Sequence, residues 1–100
     1  MKLLSRSLQS LTLDQWRLEY LKPANRNIQE TRLPDVVIET SWVGLCLGNE
    51  NPPLPFLVRV MEKTPRKGDN KTVQSRWFPT ERAAINHHQM LEAEFLPGKD

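Results

Sequence analysis

The chain has 100 residues, a formal net charge of +2, 38% hydrophobic and 26% charged residues, the balance of one small, soluble, slightly polar globular domain with a modest core. No apolar run approaches the ~18 residues of a membrane-spanning helix, and the first residues lack the apolar stretch of a signal peptide. Its one cysteine, Cys46, excludes an internal disulfide framework and points to a reducing cytoplasm.

Residues 1–11 show no clear periodicity and read as an N-terminal arm. Residues 12–22 then read as a short helix. Thr12 is placed to cap it, with Asp14 in the first turn. Leu13, Trp16, Tyr20 and Leu21 share one helical face, and Pro23 stops the helix. An alternation through Trp16, Leu18 and Tyr20 competes as a strand. Residues 23–34 are polar and read as a connection.

The stretch DVVIETSWVGLCL, residues 35–47, is rich in Val, Ile, Thr and Trp and predicts a strand. After a loop, residues 56–63 predict a second strand, with Phe56, Val58 and Val60 on one face. Residues 64–71 combine Pro, Gly and charge and predict a hairpin loop. A more polar third strand follows over 72–78, with Val73, Ser75 and Trp77 on one face. Thr80 is the expected N-cap of a helix over 80–95, with Glu81 favouring its positive end. Ala84, His88, Leu91 and Phe95 form its inward stripe, and Pro97-Gly98 ends it. The expected fold is α+β: a three-stranded antiparallel meander packed with a C-terminal helix and a short N-terminal helix.

The segments ETSWVGLCLGNENPPLPFLVRVMEK and RWFPTERAAINHHQML resemble a family of small uncharacterised proteins of phages, prophages and actinobacteria. The positions that carry the resemblance are Thr40, Trp42, Gly44, Leu45, Pro52, Pro53, Leu54, Phe56, Trp77, Thr80, Ala84 and His88. Two positions depart from the pattern. Cys46 and Leu47 stand where members often have Asp-His, and His87 where they often have Gly. The resemblance implies an accessory gene of a phage or mobile element and carries no known activity. Pro52 to Pro55 match the core of a polyproline ligand. Their position between two strands favours the plainer role of leading the chain into pairing, since proline brings no N–H.

Chemical candidates are few. His88 and Glu92 lie one helical turn apart, and Cys46 is the only other soft ligand. His87 and His88, however, point about 100° apart on a helix, which argues against a shared ion. Cys46 with His88 is the only nucleophile–base pair to weigh, and in an apolar strand the thiol reads as a small buried hydrophobe. His88 is expected to pack on the sheet with a bonded ring nitrogen. No metal and no cofactor are therefore expected.

Lys63, Arg66, Lys67, Lys71 and Arg76, offset by Glu62 and Asp69, make a basic hairpin beside Trp77. This is the candidate nucleic-acid surface, against a solvated loop with edge-guarding lysines. Three tryptophans leave two open readings. Trp42 packs in the core, while Trp16 and Trp77 either join it or serve as partner-binding anchors. The function expected is a non-enzymatic accessory protein that binds a host or phage macromolecule, with a protein partner or self-association first. Nucleic-acid binding or a small-ligand sequestering oligomer are the alternatives.

Overall fold

The computed structural model describes residues 2–48, 51–63 and 71–95. The protein is α+β, with antiparallel sheets, a short N-terminal helix and a longer C-terminal one. Its elements are β1 (Lys2–Leu3), α1 (Leu13–Tyr20), α2 (Pro23–Arg26), β2 (Asn27–Arg32), β3 (Val36–Trp42), β4 (Leu45–Cys46), β5 (Phe56–Glu62), β6 (Lys71–Phe78) and α3 (Glu81–Phe95). The meander has four strands, in the order β2-β3-β5-β6, and β1 pairs with β4 in a separate ribbon.

The expectation of three strands is corrected by β2, which occupies the stretch read as a connection. NIQETR is polar because it is an edge strand, needing apolar or β-branched side chains on one side only. Thr31 lies opposite Ile38 and so shares the inner face. Pro23 does not stop α1; the helix already closes at Leu21, and Pro23 opens the single turn of α2.

β3 and β5 run in full antiparallel register, Ile38 opposite Val60, Thr40 opposite Val58 and Trp42 opposite Phe56. Side chains alternate across a strand, so these residues form the inner face. They are all buried, together with Ala84, His88 and Leu91 of α3, which packs across β3, β5 and β6. Phe95, expected on the same stripe, is 39% exposed; it lies in the helix's last turn. The caps form as the sequence requires. Thr12 Oγ1 accepts from Gln15 N–H while the Gln15 side chain accepts from Thr12 N–H, a reciprocal capping box. Thr80 Oγ1 accepts from Ala83 N–H at 3.1 Å.

The α1 face is narrower than its periodicity suggests. Trp16 and Tyr20 pack against the core and stack at 4.9 Å, but Leu13 and Leu21 are largely exposed. The single long strand expected over 35–47 is also divided. Val43 and Gly44 interrupt it, and Gly44 adopts φ +75°. A Cβ there would lie 2.6 Å from the Trp42 ring and 2.7 Å from the Leu4 carbonyl oxygen. Only glycine combines that backbone with that space. The turn carries the chain out of the main sheet, so that β4 pairs with the arm: Lys2 lies opposite Cys46 and Leu3 opposite Leu45. The arm is ordered and fastened. Trp42 Nε1 donates to Leu4 O at 2.9 Å, Leu4 N–H donates to Gly44 O, and Arg6 pairs with Glu81 at 2.9 Å.

Candidate functional site

The turn at Gly44 also builds a largely apolar recess. Val43 N–H and Gly44 N–H both donate to Pro55 O, at 2.9 and 3.1 Å. The Val43 carbonyl in turn accepts from Trp16 Nε1 at 2.8 Å. These bonds hold the β3–β4 turn against the segment leading into β5. Beside them Val43, Leu45, Cys46, Leu47, Leu54 and Trp77 line a groove of about 310 Å³. Trp77 comes from β6, opposite Leu57 and therefore on the outer face of the sheet. Leu47 is 73% and Trp77 42% exposed, so the groove's rim presents large apolar groups to solvent. Its size suits one bulky side chain, and an amphipathic indole at the rim is the residue type favoured for anchoring partners.

The two tryptophans considered as partner anchors thus have different roles. Trp77 is on the groove. Trp16 is half-buried, stacked on Tyr20 and bonded to the turn, so it supports the groove wall from behind. Trp42 is buried as expected. The prolines lead into β5: Pro55 is fully buried and immediately precedes Phe56, which leaves no continuous proline surface to read. Cys46 is buried in β4 at the groove's floor.

His88 sits at the centre of a polar chain inside the core. Nδ1 lies 2.7 Å from Thr40 Oγ1 and Nε2 2.9 Å from Thr31 Oγ1. Thr31 Oγ1 donates to Glu92 Oε2, which as a carboxylate only accepts. Thr31 has one proton, so it accepts from His88 Nε2–H, and His88 Nδ1 accepts from Thr40. One arrangement of hydrogens satisfies every member, and it holds a neutral imidazole. Burial lowers the His88 pKa, and the nearby Glu92 offsets this only in part. With the ring sealed from solvent and both nitrogens engaged by threonines, His88 ties β2 and β3 to α3. Among the described residues no cluster of three or more His, Cys, Asp or Glu is gathered as a metal site. His87 packs at a tilt against Phe78, ring centres 5.0 Å apart; its pKa is lowered by burial and by Arg76, against a raising influence of Glu94.

Of the basic hairpin, Arg66 and Lys67 lie outside the described residues. Lys63 and Lys71 are exposed at its two ends. Arg76 is on the inner face, opposite Val58, with its guanidinium 5.3 Å from the Phe78 ring centre. Of the described cations, Arg76 therefore does not share the face of Trp77. A polar recess of about 350 Å³ beside the arm is lined by Arg6, Glu19 and Asn25, but its polar groups already serve each other or neighbours. Arg6 bonds Glu81, and Asn25 donates to Glu19 at 2.8 Å.

No protein-family model, no curated protein and no solved structure matches this chain. Among the described residues no helix is long and apolar enough to cross a membrane. The groove had a partial signal in the sequence, in Trp77 and in the leucines flanking Cys46. What brings them together is the break at Gly44, which periodicity alone does not indicate.

Proposed function

We propose that this is a non-enzymatic accessory protein of a phage or mobile element, acting in the host cytoplasm by binding a protein partner through the Trp77 groove. The observation that carries the reading is the exposed apolar rim formed by Leu47 and Trp77 around a recess of about 310 Å³. A braced groove costs little entropy to fill, because its walls are already ordered before a partner arrives. The setting in a phage or mobile element rests on the Pro-Pro-Leu-x-Phe and Thr-x3-Ala-x3-His resemblance alone. Binding rather than catalysis is favoured because the one buried histidine is sealed and fully hydrogen-bonded. The placement of Arg76 on the face away from Trp77 favours a protein over a nucleic acid.

The test is affinity capture from host lysate, with and without nuclease, on the immobilised chain. Leu47→Glu or Trp77→Ala should remove the captured partner, the latter by ~2 kcal/mol or more for a central anchor. Lys63→Gln with Lys71→Gln should leave capture intact. Capture that disappears on nuclease treatment, or that follows the lysines, contradicts the reading.

A further inference from the structure

Apart from the groove, the main sheet has an open edge among the described residues. β6 is the last strand in the order β2-β3-β5-β6, paired with β5 on one side. Among the described residues no strand pairs with its other side, and every residue from Lys71 to Trp77 is exposed. A strand edge of this kind presents a row of N–H and C=O groups ready to continue a sheet.

The two edges of the sheet are guarded differently. β2 is shorter and carries Glu30 and Arg32 on its outer face, paired with one another at 3.2 Å. β6 contains no proline, and Ser75 and Trp77 on its outer face are uncharged. Its Arg76 turns to the inner face over Phe78. Its protective devices are that inward-pointing arginine, Lys71 at its start, and a bulge where Val60 and Met61 meet Gln74 and Thr72, leaving Val73 as the extra residue. From Gln74 to Phe78 the pairing with β5 is regular.

We propose that two copies of the chain join β6 to β6 antiparallel, about a two-fold axis through Ser75, to make one continuous sheet. Register follows from the alternation of side chains. Directly opposed residues in antiparallel strands share a face, so the axis must pass through a residue and not between two. An axis at Arg76 sets two guanidiniums directly opposite, and one at Gln74 sets Val73 against Ser75 and leaves Trp77 without an apolar partner. The axis at Ser75 sets Val73, 49% exposed, against Trp77, 42% exposed, twice by symmetry. It also sets Gln74 against Arg76. The exposed apolar residues of the strand thereby cover each other, and no charge faces a like charge directly. A single strand pair is a small interface, below the ~1,200 Å² of standard stable complexes, so the dimer is reversible and depends on concentration. The two-fold is perpendicular to the sheet, and because Trp77 then packs on Val73 of the other copy, dimerisation and filling of the groove compete for the same indole.

The experiment is sedimentation or light scattering of the chain over a concentration series, with two variants at the axis. Wild type should move from monomer to dimer as concentration rises. Ser75→Lys places two ammonium groups opposite each other and should weaken the dimer ~10-fold or more with an unchanged circular dichroism spectrum. Opposed Cα atoms in an antiparallel pair are ~4.5–5.5 Å apart, within the ~4.4–6.8 Å of a disulfide. Ser75→Cys should therefore cross-link to a covalent dimer under mild oxidation, and Thr72→Cys, far from its own symmetry mate, should not. The cysteine pair also decides the matter if Ser75→Lys fails to fold. A wild-type monomer across the series, a dimer indifferent to Ser75→Lys, or equal cross-linking of the two cysteine variants overturns the proposal. Ser75 does not line the groove, so loss of the dimer and loss of partner capture are separately visible.

Discussion

Replacing Gly44 by alanine tests the link between local backbone and site. The position has φ +75°, where an L side chain costs ~1–2 kcal/mol. Loss of unfolded-state freedom returns ~0.4–1 kcal/mol of that. The new methyl would also lie 2.6 and 2.7 Å from two carbons of the Trp42 ring and 2.7 Å from Leu4 O, where carbon contacts prefer ~3.5–4.0 Å. Neither neighbour is the end of a flexible chain. The indole is 1% exposed and bonded through Nε1 to that same Leu4 carbonyl. Overpacking of this kind costs ~1–3 kcal/mol. The sum is ~1–5 kcal/mol, centred near ~3 kcal/mol, which at that centre is a fall in Tm of roughly 12–24 °C for a domain of this size, followed by circular dichroism on heating. Gly44→Asn should recover part of the backbone cost, since asparagine tolerates this region, but none of the collision. A fall in Tm below ~4 °C for Gly44→Ala would mean that the turn relaxes freely and that the groove wall is not held as described.

Three further outcomes follow from the core. Leu91→Ala, at a site 3% exposed between α3 and the sheet, should cost ~2–5 kcal/mol in urea unfolding; an unchanged midpoint would remove α3 from the core. Burial holds the His88 pKa below its ordinary 6.5, so below that pH the unfolded chain binds the extra proton more readily than the folded one. Stability should thus be complete above pH 6.5 and fall as pH drops below it, and His88→Gln should flatten that slope; an unaltered slope would contradict the neutral, sealed imidazole. Trp77→Ala should leave the unfolding free energy within ~1 kcal/mol of wild type, as expected of an exposed position outside the core, and a larger loss in the same urea unfolding would make Trp77 a structural residue.

Much of this fold is legible in the residues themselves. The alternation in VVIETSW and FLVRV, the caps at Thr12 and Thr80, and the stripe Ala84, His88 and Leu91 each specify a local structure that the tertiary packing then uses. The strand β2 escaped because its pairing with β3 is a backbone ladder that leaves no mark in the side-chain pattern, and Thr31 on its inner face is polar. Thr31 is suited to that place by His88 and Glu92, residues 57 and 61 positions away, and no local pattern encodes such a distance. Gly44 interrupts a strand whose flanks both read as β. A lone glycine in such a run marks a close backbone approach, here to Leu4 and the Trp42 ring, but not which way the chain turns. The separation of Trp16 from Trp77 follows from the same turn, since Trp16 bonds its inner side and Trp77 lies beyond its outer one.

The role of Trp77 is tested most directly by NMR on the isotope-labelled chain, using its tryptophan indole N–H signals as reporters. Two of these protons are committed inside the protein, Trp16 to Val43 O and Trp42 to Leu4 O. On titration with the captured partner the Trp77 indole signal should shift or broaden, together with the amides of Leu45 and Leu47, while those of Trp16 and Trp42 stay in place. Shifts confined to Lys63, Lys71 and Arg76, with Trp77 unmoved, would contradict the account and assign binding to the basic residues instead.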